Sequence, residues 1–465
     1  MEDRLSRLVD KARRRGASFA EARFQNVTST LAIVENGQLK SYESQKLRGI
    51  GIRVIVQQSW GYSSCSDLAP KSANSALMTA LKSAEASSRH SRKTEITQAT
   101  PITDNQASPC RLDPTEVSPE ETIRVAMEAN KAAKTSNLIK NSATRIGTLS
   151  DKRIFVSSEG SKIKIDSYMV GLSHLSVAKL SSEMERVSAQ KSLCSGFEYL
   201  QNENWNQFTQ EISELAEKAV RAKTPKAGTF QAVADPELIG LILHEAFGHA
   251  SEGDLVTTKE SVLEGKLGAV LASPEVTILD EGVADGGYFV PYDDEGTRKD
   301  RTVIVENGVL KSYLNSRQSA LELGAKPTGN ARAMDFESNP IVRQTNFYMQ
   351  PGDRDFEELI EGVKEGYYIR GRGGGGGQVD VGGGTFTFAA GPSYRIENGE
   401  VKDMVRGTTV TGVILETLRT IDAVGDDLQL TTSVFGGCGK EGQLVKVGDG
   451  GPHVRVGRIT IGGPA

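Results

Sequence analysis

The sequence predicts an α+β protein, a mixed α/β N-terminal region followed by a large β-rich C-terminal domain. Three observations carry this. Residues 3–15 and 206–223 repeat their apolar side chains at helical spacing. Between them lie alternating runs such as Ile50, Ile52, Val54 and Val56. Beyond Pro225 the chain holds most of its 49 glycines and two Asn-Gly turn signals, at 307–308 and 398–399. At 465 residues the chain exceeds what one compact core usually organises. We therefore expect residues 1–224 and 225–465 to form separate units, with a polar linker near 89–118.

In order along the chain, the helix over 3–15 shows Leu5, Leu8, Val9 and Ala12 on one face and stops at Gly16. Strands follow at Val27–Glu35 and Gln38–Tyr42, joined by Asn36-Gly37, whose residues tolerate the positive φ of a type I′ turn. A third strand is expected at Gly49–Gln57 and an Ala/Ser-rich helix at about 70–88. Residues 89–118, with Pro101, Pro109 and Pro114, read as the linker. Ser118-Pro119-Glu120-Glu121 then opens a helix, with serine as cap, proline in the first turn and Glu121 completing a capping box. Strands are expected at 143–157, 161–171 and 174–189. The amphipathic helix over 206–223 presents Phe208, Ile212, Leu215, Ala219 and Val220 and ends at the Lys223-Thr224-Pro225 boundary. Val34–Tyr42 nearly repeats at Val305–Tyr313, which we read as one turn chemistry arising twice rather than as a duplication.

Composition excludes several function classes. A hydrophobic content of 37% with 25% charge excludes disorder as the main state. A net charge of −5 leaves no electrostatic footprint for nucleic acid. Cys65, Cys110, Cys194 and Cys438 lie too far apart for a disulfide scaffold and suit a reducing compartment. No apolar run approaches membrane length and Met1-Glu2-Asp3-Arg4 opens no apolar leader, so a cytoplasmic protein is expected.

The chemistry concentrates in Asp235–His249. Asp235 suits an N-cap and Pro236 a first helical position. Leu238, Ile239, Leu241, Ile242, Leu243 and Phe247 leave almost no polar face, so this helix should be buried. It nevertheless carries His244, Glu245 and His249, the working parts of a zinc hydrolase. In the usual His-Glu-x-x-His motif the imidazoles stand about 40° apart around the helix, whereas the five-residue spacing here turns them about 140° apart. Chelation therefore requires the helix to end, widen or kink near Gly248. The bland alternative is a helix terminus with two satisfied histidines. Beside a metal, Glu245 would take a proton from the bound water and pass it to the leaving amine. Glu252 and Asp254 could hydrogen-bond the outer ring nitrogens of the ligands, or simply form an acidic turn.

A catalytic zinc needs a third protein ligand, for which His90, His174, His453, the acids and the cysteines are candidates. Cys438 stands among three glycines, which lets backbone bring a thiolate close to an ion, and Lys440 could help stabilise it. A free cysteine in a tight turn is the competing reading. Cys65, Cys110 and Cys194 read as packing or surface thiols. The run over 371–384 contains GxGxxG, but a strand (Thr385–Phe388) rather than a helix follows, so a dinucleotide site is not supported. It reads either as a flexible loop or as bare backbone against which a peptide pairs as an added strand.

These residues resemble the TldD/PmbA family of metallopeptidases, also called modulators of DNA gyrase. His244-Glu245-Ala246-Phe247-Gly248-His249 with Ser251-Glu252-Gly253-Asp254 is similar to the family's H-E-A-x-G-H-x-x-E-G-D signature. The likeness extends to Gly16–Ser44, Gly371–Asn398, Gly436–Gln443 and Gly450–Val456. The resemblance implies Zn2+ held by His244, His249 and Cys438, with Glu245 as catalytic acid/base activating a zinc-bound water. It implies the TldD branch, since the PmbA-like (TldE) branch lacks the zinc motif. It further implies a dimer, either of identical chains or with a TldE/PmbA-like subunit, acting on short or unfolded polypeptides. The competing function is a non-catalytic peptide-binding or regulatory subunit with a structural or absent metal. His453 enters only by elimination as an oxyanion contact.

Overall fold

The computed structural model describes residues 1–89, 93–371 and 376–463; His90 and the 372–375 part of the glycine run lie outside them. Helix α1 (Glu2–Arg14) buries Leu5, Leu8, Val9 and Ala12, the face its periodicity predicts. Strands β1 (Phe19–Glu35) and β2 (Gln38–Val56) pair antiparallel from Phe19↔Ile55 to Glu35↔Gln38, with one register shift between Ile33 and Val34. The three shorter strands expected here are thus two long ones. Residues 43–48 are exposed and, Leu47 apart, polar, so they lack the alternation of a half-buried strand, and the ladder to β1 alone holds them extended. The start of β1 was hidden differently. Ala20 and Ala22 face α1 in the core while Glu21 and Arg23 are buried too.

Strand β3 (Ser59–Cys65) was not foreseen. It lies under α2 (Pro70–Ser87) so closely that a Cβ on Gly61 would meet the Ala80 carbonyl oxygen at 2.0 Å. The expected linker also holds structure, namely β4 (Thr103–Ala107), which runs parallel to β6 (Lys162–Leu180). Helix α3 (Pro119–Ala132) opens on Ser118, whose hydroxyl accepts from the Glu121 amide at 3.3 Å. With β5 (Ile139–Ser157) and β7 (Glu183–Leu193), the seven-stranded sheet runs β3-β2-β1-β5-β6-β4, and β7 pairs with β6. After the short α4 (Glu198–Asn202), helix α5 (Trp205–Ala219) buries Trp205, Phe208, Ile212 and Ala216 against α3 and this sheet.

The remainder is rich in strands, as expected. Strand β8 (Gly228–Ala234) lies inside a nine-stranded sheet, between 365–369 and 454–462. A second, six-stranded sheet has 346–349 in its interior, antiparallel to 278–281 and parallel to 448–451. The Asn36-Gly37, Asn307-Gly308 and Asn398-Gly399 turns all show positive φ at both residues, as type I′ hairpins require. Where described, the glycine run is not loop throughout, because Gly376–Asp380 pairs with Thr385–Ala389.

Helix α6 (Pro236–Ile242) starts on Asp235, whose carboxylate accepts from the Leu238 amide at 2.8 Å. It lies against 448–451, and a Cβ on Gly240 would fall 2.6 Å from the Gly450 Cα. Leu238, Ile239, Ile242, Leu243 and Phe247 enter one core with Phe347, Met349, Phe386 and Phe388. Truncating a ring buried as fully as Phe247 typically costs about 3–5 kcal/mol, so the segment carrying the histidines is anchored from beneath. The N-terminal sheet meets this part through buried ion pairs. Arg53 lies 2.8 Å from both Glu21 and Glu295, and Arg23 and Arg153 both reach Asp294. Among the described residues no helix is long and apolar enough to cross a membrane.

Candidate metal centre

At Leu243 the helix widens into a π turn that runs to Gly248. The His249 amide donates to the His244 carbonyl, an i→i+5 bond, and this settles the five-residue spacing. Of the three remedies the sequence allowed, widening is the one present. The imidazoles of His244 and His249 stand 5.4 Å apart between centroids, edge to face at 87°. Gly248 has an ordinary helical φ of −62°. Its glycine is required for space, since a Cβ there would fall 2.1 Å from Oε1 of the fully buried Gln344. Gln344 in turn donates to the His244 carbonyl at 3.0 Å.

Cys438 comes to the same point from the far end of the chain, its Sγ 3.1 Å from His249 Nε2. One donor atom each from His244, His249 and Cys438 lies within 4.8 Å of the others, and all three residues are buried. Two nitrogens and a sulfur are a donor set that suits a borderline-soft divalent ion. His244 Nδ1 is buried without a hydrogen-bond partner, which in a packed interior marks a donor held for something else. The cluster is therefore capable of coordinating a metal.

Its electrostatics agree with that capacity. Burial alone would keep the Cys438 thiol protonated, but the His244 charge and hydrogen bonds from both imidazoles bring it down to about 5. Burial likewise opposes charge on His249, yet Glu252 and Cys438 outweigh it and lift that imidazole to about 10. His244 is raised as well, against its burial, chiefly by Cys438. In the metal-free protein a thiolate thus sits between two imidazoles that favour protonation, and a metal bound to these donors would take the place of those protons.

The surrounding acids divide their work. Glu252 Oε2 accepts from His249 Nδ1 at 3.2 Å, the outer-nitrogen contact expected of it. Asp254 makes no such contact and instead receives Lys440 Nζ at 2.8 Å, which also reaches Glu252 at 2.9 Å. Lys440 therefore ties the cysteine's strand to the acids beyond His249, rather than stabilising the thiolate as expected. Glu245 is the most exposed member, its side chain 40% accessible and Oε2 4.0 Å from His249 Nε2. Asp449 Oδ2 stands 4.0 Å from His244 Nδ1. Sequence reasoning missed Asp449, although its setting between Gly448 and Gly450 was a signal of close backbone approach.

Of the other candidates for a third ligand, the described histidines and the remaining cysteines lie elsewhere. His174 is buried in the N-terminal sheet between Thr144 at 2.8 Å and Ser176 at 2.9 Å. His453 has both nitrogens engaged, Nδ1 with Asp427 at 2.5 Å and Nε2 with the Tyr368 hydroxyl at 3.0 Å. Cys65, Cys110 and Cys194 are unpaired and half-buried, with thiols that burial pushes up.

Three family models match consecutive segments of the chain. They describe PmbA/TldA metallopeptidase domain 1 over residues 20–88, the central domain over 112–222 and the C-terminal domain over 227–463. A metalloprotease of Methanothermobacter thermautotrophicus is 37% identical, covering 96% of this chain and 95% of its own. The zinc metalloprotease TldD homolog of Saccharolobus solfataricus is 30% identical over 98% of this chain and 99% of its own. TldE from Thermococcus kodakarensis shares the fold, with a TM-score of 0.80 over 99% of this chain and 100% of its own, at 19% identity.

Proposed function

Because the chain belongs to the PmbA/TldA metallopeptidase family, we propose that it is a TldD-branch zinc peptidase whose metal is held by His244, His249 and Cys438. The observation that carries the reading is the convergence of those three buried donors within 4.8 Å. Zinc bound there supplies a Lewis acid that polarises a peptide carbonyl and makes a water more acidic. The chain's own residues do the rest. Glu245, exposed beside His249, accepts a proton from the attacking water on its carboxylate and delivers it to the nitrogen of the leaving amine. Glu252 holds the His249 ring by its outer nitrogen, so that Nε2 faces Cys438. Water is excluded from beneath by Leu243 and Phe247.

The substrates are short or unstructured polypeptides, bound extended near the strand Gly376–Asp380. The working unit is a dimer, either of this chain or with a TldE/PmbA-like subunit, in the cytoplasm, and the machinery lies in the 225–465 unit. The test is Glu245→Gln. It should keep full zinc content and lose peptide turnover by about 10²- to 10⁴-fold. Unchanged turnover in that variant would remove Glu245 from the mechanism. A chain that never binds zinc would favour a non-catalytic, peptide-binding role.

A further inference from the structure

Cys438 sits on a hairpin that belongs to none of the three large sheets. Among the described residues Cys438–Lys440 and Gln443–Val445 pair only with each other, around a Glu441-Gly442 turn with φ of 51° and 75°. A two-stranded hairpin on its own is marginally stable in water. Something beyond its own ladder must therefore fix where the sulfur points.

Arg343 meets that need. Its side chain is fully buried, and its guanidinium donates through Nη2 to the Cys438 carbonyl and through Nη1 to the Gln443 carbonyl at 3.3 Å. One planar fork thus spans both strands of the hairpin. Its backbone is fixed in turn, since the Arg343 amide donates to the Asn330 carbonyl at 2.8 Å and the Asn330 side chain returns a bond at 2.8 Å. Among the described residues no carboxylate forms an ion pair with this guanidinium, and its Nε has no partner. A buried, unpaired cation is costly, and packing alone would select an apolar residue here. The same pattern recurs nearby. Arg332 donates to the Lys446 carbonyl, and the Lys446 ammonium to the carbonyls of Val434 and Gly436 at 2.8 and 2.6 Å. Cations bound to carbonyls thus hold the segment on both sides of the cysteine.

We propose that Arg343 is the positioning residue for the metal's sulfur ligand, fixing the Cys438 peptide so that Sγ faces the two imidazoles. This rests on Cys438 being a ligand. Arginine is specific to the task, because lysine is a point donor that cannot bridge two carbonyls with one rigid plane.

The experiment compares Arg343→Met, Arg343→Lys and Cys438→Ser by three readouts: zinc affinity in chelator competition, the thiolate-to-metal absorption of the cobalt(II)-loaded protein, and the alkylation rate of Cys438 in the metal-free protein, mapped by mass spectrometry. Arg343→Met should weaken zinc binding about 10- to 100-fold, as loss of an outer contact to a ligand typically does. It should also shift or remove the cobalt–thiolate band and speed alkylation of Cys438 severalfold. Arg343→Lys should fall between Arg343→Met and the native protein in all three. If Arg343→Met gives no cooperative melt, the lysine variant decides by the same readouts. Native affinity, band and alkylation rate in a folded Arg343 variant, with zinc lost in Cys438→Ser, would overturn this inference alone. Zinc retained by Cys438→Ser would overturn the ligand assignment and this inference with it.

Discussion

Cys438 Sγ lies 3.1 Å from His249 Nε2, although 189 positions of the chain separate the two residues. The histidine is presented by a widened helical turn packed on a sheet, and the cysteine by a small hairpin held from outside. Neither element makes a chelating site without the other. Substitutions in either element, or in what joins them, should therefore have measurable effects.

The first concerns the sulfur. Cys438→Ser keeps nearly the same volume but offers a harder donor, so zinc affinity should fall by about a hundredfold or more, at least as much as an outer contact is worth. Chelator competition reads this directly, and a melting curve on the metal-free variant separates it from unfolding.

The widened turn can be tested through Gly248. In Gly248→Ala the new methyl must displace Gln344, which is itself bonded to the His244 carbonyl. We expect a loss of about 1–3 kcal/mol of stability, the usual cost of overpacking. Zinc affinity should fall too, because the bond from Gln344 to the His244 carbonyl is disturbed. Native stability and affinity together would show that the turn tolerates more room than the structure gives it.

Lys440→Met would leave Glu252 and Asp254 facing each other without their shared cation, in a buried setting. Removing one partner of a buried ion pair costs about 3–5 kcal/mol, and the partly accessible Asp254 places this case at the low end. Urea unfolding measures the loss. A double variant that also makes Glu252→Gln should recover part of it.

A pH effect is expected from the N-terminal sheet, far in sequence from the metal residues. Burial lowers His174 from its usual 6.5 to about 4. The unfolded chain therefore takes up a proton between pH 6.5 and 4 that the folded chain refuses. Stability from this residue is complete above pH 6.5 and is lost as pH falls through that window, by about 3 kcal/mol in all. Denaturant unfolding across the window should show this slope in the native protein and lack it in His174→Gln.

Much of this was legible in the residues, for identifiable reasons. Helix α1, the Asn-Gly hairpins and the Ser118 cap announce themselves through local chemistry, and they appear where expected. The five-residue spacing of His244 and His249 demanded a departure from α geometry, and a π turn supplies it. What could not be read depends on partners distant in sequence. Strand β3 mixes Trp60 and Tyr62 with serines and owes its place to the ladder with β2 and to α2 above it. Residues 43–48 are strand because β1 pairs with them. Lys440, two positions from Cys438, looked like the thiolate's counter-charge until folding brought Glu252 and Asp254 to its ammonium. Arg343 carried no local signal at all, since its partners are two carbonyls about a hundred residues away.

Zinc K-edge X-ray absorption on the purified protein reads, without mutation, whether two imidazoles and one thiolate hold the metal. The expected first shell holds one sulfur at about 2.3 Å and two imidazole nitrogens at about 2.0–2.1 Å. A first shell of nitrogen and oxygen alone, with no sulfur, would contradict it.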